Sequence, residues 1–152
     1  MEWILKRFDQ LSLDELYEIL RLRVRVFVVE QNCAYEEIDG IDRDSLHLFG
    51  CRDGEILAYL RLYRKAGEQD TVQAGRIVTA IRGEGLGAEL LTRGIRAARD
   101  ELHAGEIYIE AQCQAQGFYT RDGFSAVSEP FLEDGIPHIR MRLSLEGRIT
   151  AK

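Results

Sequence analysis

The apolar positions of this chain repeat with a period of two in some stretches and with a helical period in others, which divides it into alternating elements. Residues 3–8 read as a first strand. Ser12 and Glu15 form a capping box, in which the serine accepts from a free amide and the glutamate reaches back, so a helix opens at Leu13. Leu13, Leu16, Tyr17, Leu20, Val24, Phe27 and Val28 then fall on one helical stripe, and a break or kink is predicted before Gln31-Asn32. Residues 36–44 read as an acidic loop around Gly40. Two strands follow, 45–52 and Glu55–Lys65, joined by Asp53-Gly54, where both positions accept the positive φ of a two-residue hairpin turn. In the second strand Ile56, Ala58, Leu60 and Leu62 alternate with Leu57, Tyr59, Arg61 and Tyr63, which predicts two covered faces. Residues 66–70 read as a turn and 71–81 as a strand.

That strand runs into three glycines, Gly83, Gly85 and Gly87, and leaves as a helix from Leu86 with Leu90, Leu91, Ile95 and Ala98 on one side. A strand, a glycine loop and a helix N-terminus make an anion site, because the first helical amides lack internal partners and the macrodipole places positive charge there. Arg82 adds a fixed charge at its mouth. Glu106–Gln112 reads as a buried strand, and a strand, a helix and a strand in this order demand a parallel crossover. A short helix over 115–121 closed by Asp122-Gly123, a strand over 124–127 and a loop over 129–135 come next. In the last strand, 137–143, Ile139, Met141 and Leu143 are expected inward, with His138, Arg140 and Arg142 outward. Residues 144–152 read as a loose tail of a single domain spanning 1–152.

Composition narrows the function classes. Apolar residues make up 45% and charged residues 30% of 152, as in a soluble globular domain. The longest apolar run, Ile56 to Leu60, is too short to cross a membrane, and the N-terminus has no signal-peptide core. Cys33, Cys51 and Cys113 are odd in number and widely spaced, which fits neither a disulfide framework nor a metal cluster and points to a cytoplasmic setting. The three histidines form no metal-ligand motif. A net charge of −6 argues against nucleic acid as a partner and suits a cationic one.

The glycine stretch fits three known patterns unequally. A P-loop would end in Gly-Lys-Ser/Thr, and Gly87-Ala88-Glu89 does not. Gly83-Glu84-Gly85-Leu86-Gly87-Ala88 matches the dinucleotide fingerprint literally, which keeps a nicotinamide or flavin enzyme as an alternative, although that loop normally follows the first strand of a doubly wound sheet. Arg82-Gly83-Glu84-Gly85-Leu86-Gly87 resembles the Arg/Gln-x-x-Gly-x-Gly/Ala signature of the GNAT acetyltransferases. The segment from Gln112 through Ala115, Phe118, Tyr119, Gly123 and Phe124 is similar to a second GNAT signature, with Gln112 where asparagine is usual. Residues 23–33 and 133–139 resemble the ElaA branch in particular. One departure is the link from Ile77-Val78 to Arg82, where only Thr79, Ala80 and Ile81 intervene and the family usually has more.

The resemblance implies a GNAT fold: α/β, with a mixed, mostly antiparallel sheet, a central splayed parallel strand pair and flanking helices. It also implies acetyl-coenzyme A as cofactor and an amine, on a small molecule or a peptide, as acceptor. By this likeness the cofactor meets Ile77, Val78, Thr79, Arg82, Gly83, Glu84, Gly85, Leu86, Gly87, Ala88, Gln112 and Tyr119. A backbone N–H near Val78 would face the thioester carbonyl as an oxyanion donor. Tyr119 would give its proton to the leaving thiolate, an uphill transfer because a phenol titrates near ~10 and a thiol near ~8.5 unless the neighbouring helix terminus helps. Glu110 and then His138 are the candidates for the base, with Glu30 and His47 behind them. The acidic loops suggest Glu30, Glu37 and Asp134 as contacts for a protonated amine, with Arg140 limiting the negative charge. A cofactor-binding sensor without turnover is a further alternative, and either a monomer or a homodimer fits.

Overall fold

The computed structural model describes residues 1–146. Its strands are β1 (Glu2–Arg7), β2 (Leu46–Arg52), β3 (Glu55–Lys65), β4 (Glu68–Thr79), β5 (Glu106–Gln112), β6 (Ser125–Ala126), β7 (Phe131–Glu133) and β8 (Ile136–Ser144). Its helices are α1 (Leu13–Arg23), α2 (Leu86–Asp100) and α3 (Gln116–Thr120). The strand order is β1-β2-β3-β4-β5-β8-β6, with β7 on β8. β4 and β5 are parallel, with Thr71–Gln73 in register with 106–108, and the neighbouring pairs of known register are antiparallel. This is the mixed, mostly antiparallel sheet expected of a GNAT fold.

The chain forms two compact units. The first contains Met1–Tyr63 and Arg76–Gly94. Ile19, Leu22, Phe49, Ile56, Tyr59 and Val78 make its core, with Ile4, Leu11, Val26 and Phe27 packed around them. Burying a side chain of this size stabilises by about 1.5–3 kcal/mol. α1 starts where the capping box places it: Glu15 N–H donates to Ser12 Oγ at 3.0 Å and Ser12 N–H to Glu15 Oε1 at 2.8 Å. Its buried stripe is rotated from the expected one. Leu13 and Tyr17 are 86% and 68% exposed, while Ile19, Leu22 and Arg23 are buried. The expected kink is a π-helical stretch, Val24–Glu30, in which Gln31 and Cys33 donate five residues back, to Val26 O and Val28 O. Asp53 and Gly54 have φ of 53° and 78°, the two-residue turn read from their identity. Gly94 lets α2 approach β3, since a Cβ there would lie 2.8 Å from Leu60 Cδ2.

Three arginines and three carboxylates tie this unit together. Arg23 Nε and Nη1 donate to Glu37 Oε2 and Asp42 Oδ1, each at 2.6 Å. Arg61 donates to Asp39 at 2.7 Å and to Asp42 at 3.0 Å. Arg76 donates to Glu37 at 2.9 Å and to Asp39 at 3.2 Å, and stacks over Tyr35. The charges balance, which lets Arg23, Arg61, Glu37 and Asp42 all be buried. The acidic loop over 36–44 is thus largely an internal anchor rather than a solvated segment.

The second unit contains Arg64–Gly75 and the described residues from Ile95 on. Ile107, Ile109, Ala111, Ile139, Met141, Leu143 and Phe124 are buried in it. The turn expected over 66–70 is confined to its first residues, and β4 already starts at Glu68. Residues 129–135, expected as a loop, contain β7, which pairs with β8 through a hairpin turned by Asp134 and Gly135 at φ 51° and 78°. His138, expected outward, is buried along with Ile139. The expected loose tail begins inside β8, and Leu145 N–H donates to Gly105 O at 2.8 Å; residues 147–152 of that tail lie outside the described residues.

Candidate active site

The glycine loop is in the first unit. β4 ends at Thr79, and Ala80 N–H donates to Leu57 O of β3 at 2.8 Å. Gly83 and Gly85 have φ of 82° and 74°, which other L-residues adopt only at a cost, and a Cβ on either would meet nothing within 4 Å. The first α2 hydrogen bond is Glu89 N–H to Gly85 O at 3.2 Å. The amides of Leu86, Gly87 and Ala88 therefore have no acceptor within the helix. Leu86, Leu90 and Leu91 are buried, which anchors the helix start. Arg82 is exposed beside it. Glu84 turns away to an exposed ion pair with Arg52 at 3.0 Å.

Backbone direction along β4 changes one expectation. Amides alternate sides along an extended strand. Val78 therefore shares the β3 side with Ala80, and the amides of Ile77 and Thr79 point away from β3. Just before them Arg76 has a φ of 52°, unusual for a non-glycine residue, and its guanidinium is held by Glu37 and Asp39. Sequence reasoning missed Arg76. The available signal was Gly75 inside a strand pattern, which marks irregular pairing.

Glu37 is buried against Arg23, Arg76 and the Tyr35 hydroxyl, so its carboxylate is already engaged by groups of the fold itself. This differs from the acceptor contact expected of it. His47 is also internally satisfied: Nε2 donates to Asp42 O at 2.8 Å, which leaves Nδ1 to accept from Tyr59 Oη at 2.6 Å. Burial pushes its pKa down. Glu30 is exposed at the end of the π-helical stretch.

The second unit holds the other candidates. Tyr119 is 8% exposed, with edge-on contacts to Phe118 and Phe124. Burial pushes its hydroxyl up to about 12, so the easing of proton transfer expected from a helix terminus is not realised in this state. Gln112 accepts from Gln114 at 3.0 Å. Glu110 accepts from Tyr108 Oη at 2.8 Å. His138 Nδ1 donates to Ile136 O at 2.7 Å, and its Nε2 lies 3.8 Å from Glu133 Oε2. Burial, and after it the nearby Glu110 carboxylate, raise the pKa of Glu133. The structure thus brings Glu110, His138 and Glu133 together. Sequence reasoning placed Glu133 in a loop, although the Asp134-Gly135 turn after Phe131-Leu132-Glu133 was a readable hairpin signal. Asp134 occupies the turn itself.

Among the described residues no helix is long and apolar enough to cross a membrane. The acetyltransferase (GNAT) domain family matches residues 14–145. Protein ElaA of Escherichia coli K12 is 39% identical over 145 residues, covering 93% of this chain and 95% of that protein. The crystal structure of E. coli ElaA agrees with a TM-score of 0.88 at 37% identity, over 94% of this chain and 99% of that one. An acyl-CoA N-acyltransferase from Pseudomonas aeruginosa agrees with a TM-score of 0.89 at 44% identity, over 95% and 100%. The literal dinucleotide fingerprint is therefore carried here by an acetyltransferase loop. With a domain match over most of its length and ElaA as a full-length relative, this chain belongs to the GNAT acetyltransferase family, in its ElaA-like branch.

Proposed function

We propose that this protein transfers the acetyl group of acetyl-coenzyme A to a primary amine by direct attack, with both substrates bound together. The observation that carries the reading is the Gly83–Gly85 turn opening α2 in a chain of this family. The residues present suit a pyrophosphate: open space over Gly83 and Gly85, amides at Leu86, Gly87 and Ala88 that have no acceptor within the helix, and the exposed Arg82 just before the loop. When bound, the cofactor supplies an activated acetyl thioester.

The chain's own residues then divide the work. The Thr79 amide, which points away from β3, takes the oxyanion-donor role expected near Val78, and Ile77 offers a second amide on the same side. Tyr119 Oη holds the proton needed by the leaving thiolate. Burial disfavours the phenolate, but it disfavours a buried thiolate as well, so the difference between the two pKa values governs the transfer. Glu110 and His138 receive the ammonium proton. Glu30 and Asp134 attract the cationic acceptor, and Glu37 serves the fold. Gln112 and the Glu84 backbone complete the cofactor contacts.

The test combines calorimetric titration with acetyl-coenzyme A and a thiol-release assay across a panel of amines. Binding with turnover of at least one amine is expected. Binding without turnover of any amine would favour a sensor, and no binding would remove the loop assignment.

A further inference from the structure

Among the described residues, five that are not glycine have positive φ, and four of them lie in turns or loops. The fifth, Arg76, sits inside β4 at φ 52°. The adjacent Gly75, which could adopt positive φ freely, does not. The unfavourable conformation has fallen on the residue whose side chain can be held.

That side chain is held from several directions. Arg76 Nε donates to Glu37 Oε2 at 2.9 Å, and Nη2 donates to Glu37 O at 3.0 Å and to Asp39 Oδ2 at 3.2 Å. The guanidinium carbon lies 5.5 Å from the centre of the Tyr35 ring, and Tyr35 Oη donates to Glu37 Oε1. The far side of this clamp is fixed in turn. Arg23 of α1 holds Glu37 at 2.6 Å, and Arg61 of β3 holds Asp39 at 2.7 Å. All of these residues belong to the first unit. A strained backbone persists only where its surroundings over-determine it, and the planar arginine fork, with its donors pre-arranged, is suited to that task.

Ile77 follows Arg76 directly, and Thr79 comes two residues later. Their amides are the thioester's donors in the acetyl-transfer reading, on which this inference rests. A residue at positive φ interrupts the alternation of amide directions along a strand, so the side to which later amides point is set at that residue. We propose that Arg76 is a positioning residue for acetyl transfer: Tyr35, Glu37 and Asp39 clamp its guanidinium, the clamp holds its backbone at positive φ, and that turn aims the Ile77 and Thr79 amides at the thioester carbonyl. Such donors are effective only when they are aimed before the reaction begins. The acidic loop thus serves catalysis from inside the fold, through Arg76 and without touching substrate.

The test compares the wild type with Arg76→Lys, Arg76→Gly and Arg76→Ala. It measures kcat, the dissociation constant of acetyl-coenzyme A, and the carbon-13 resonance of bound acetyl-coenzyme A labelled at the thioester carbonyl. Hydrogen bonds to that carbonyl move its resonance downfield from the free position, and a change in stability alone does not. Arg76→Gly keeps the backbone freedom and leaves Glu37 with Arg23 and Asp39 with Arg61, so it is expected to fold. It should lower kcat by about 10²-fold and return the carbonyl resonance toward the free position. The dissociation constant should change little, because the glycine loop is untouched. Arg76→Ala, whose backbone prefers negative φ, should lose more rate. Arg76→Lys, which keeps the charge but not the fork, should fall between the wild type and Arg76→Gly. Variants that lose stability but keep the wild-type kcat and carbonyl resonance would overturn the proposal. So would an Arg76→Gly protein with the wild-type rate, since the clamp would then be dispensable. A wild type that turns over with an unshifted carbonyl would defeat the amide positioning alone, whereas one that neither binds nor turns over acetyl-coenzyme A would defeat the acetyl-transfer reading and this role with it.

Discussion

Arg23 of α1 and Glu37, fourteen positions later, meet in a 2.6 Å ion pair from which water is excluded, with side chains 0% and 3% exposed. Neither residue can lose its partner cheaply, because an uncompensated buried charge costs far more than the pair contributes. Arg23→Ala is expected to destabilise the protein by about 3–5 kcal/mol, since it removes a fully buried guanidinium and leaves the buried Glu37 and Asp42 with one arginine each, Arg76 and Arg61. Arg76→Ala should cost less, because Arg76 is partly exposed and its carboxylates keep Arg23 and Arg61. Urea unfolding of the two variants checks the order; equal losses, or a small one for Arg23, would contradict it.

The same network sets the response to acid. Burial raises the Asp39 carboxyl, but hydrogen bonds from Arg61 and the Ile41 amide, with the charges of Arg61 and Arg76, outweigh it and bring it to about 2. Asp42 is lowered in the same way, burial being overcome by Arg23 and Arg61. The folded pKa values lie below the unfolded ones, so this stabilisation is complete above about pH 4 and is lost as pH falls toward about 2. His47 adds an earlier phase. It is held neutral by burial, so the unfolded chain binds a proton the folded one does not, and stability declines as pH drops below 6.5. Urea midpoints measured from pH 8 to 3 should show both phases, and His47→Gln should remove the first. A profile flat between pH 6.5 and 4.5 in the wild type would contradict the role of His47.

Much of the fold was legible because local chemistry and tertiary packing agree. Ser12 and Glu15 cap α1, Asp53-Gly54 turns the β2–β3 hairpin, and Leu86 opens α2. The misread parts are those where long-range partners decide. Arg23 is a charged residue on the buried face of α1, and it is there because Glu37 and Asp42 arrive from the loop beyond. No periodicity of apolar residues could locate it, so the stripe was placed on Leu13 and Tyr17 instead. The acidic loop likewise read as a site for a protonated amine, because the three arginines that neutralise it come from α1, β3 and β4. Glu110 was picked out from its strand, but its neighbour Glu133 depended on β7, whose three residues are too few to carry a pattern.

The glycine loop can be probed in a way that separates strain from occupancy. Asn adopts positive φ more readily than Ala, whose Cβ costs about 1–2 kcal/mol there. Both would project into the open space over Gly85. If that space receives phosphate, Gly85→Asn and Gly85→Ala should each weaken acetyl-coenzyme A binding, with Asn the more stable fold. Calorimetric titration beside thermal unfolding decides; an Asn variant with unchanged affinity would mean that the loop matters only for its backbone shape.

For Tyr119, Tyr119→Phe keeps the contacts to Phe118 and Phe124 and removes only the proton. It should lower kcat by about 10²- to 10⁴-fold with little change in cofactor affinity. Because burial raises the hydroxyl to about 12, it remains protonated through the alkaline range, and the wild-type kcat should show no fall from its ionisation up to about pH 10. An unchanged kcat in the variant, with chemistry rate-limiting, would remove the general-acid role.

Acceptor recognition is tested best at Asp134, because the turn allows its charge to be removed alone. Asp134 and Gly135 both have positive φ, and Asn-Gly is at least as good as Asp-Gly in such a turn. Asp134→Asn should therefore leave β7 and β8 paired and stability within about 0.5 kcal/mol. If the charge attracts a protonated amine, the acceptor KM should rise severalfold while the acetyl-coenzyme A KM stays fixed. Glu30→Gln, at the exposed end of the π-helical stretch, should act in the same direction. The wild-type acceptor KM should also rise with salt, since screening shortens to about 3 Å at 1 M, and the charge-removed variants should respond less. Steady-state kinetics at low and high ionic strength measure both effects. An acceptor KM that ignores both substitutions and the salt would leave Asp134 as a turn residue and Glu30 as a solvated helix end, and would direct the search for the acceptor contacts to Glu110, Glu133 and Phe131.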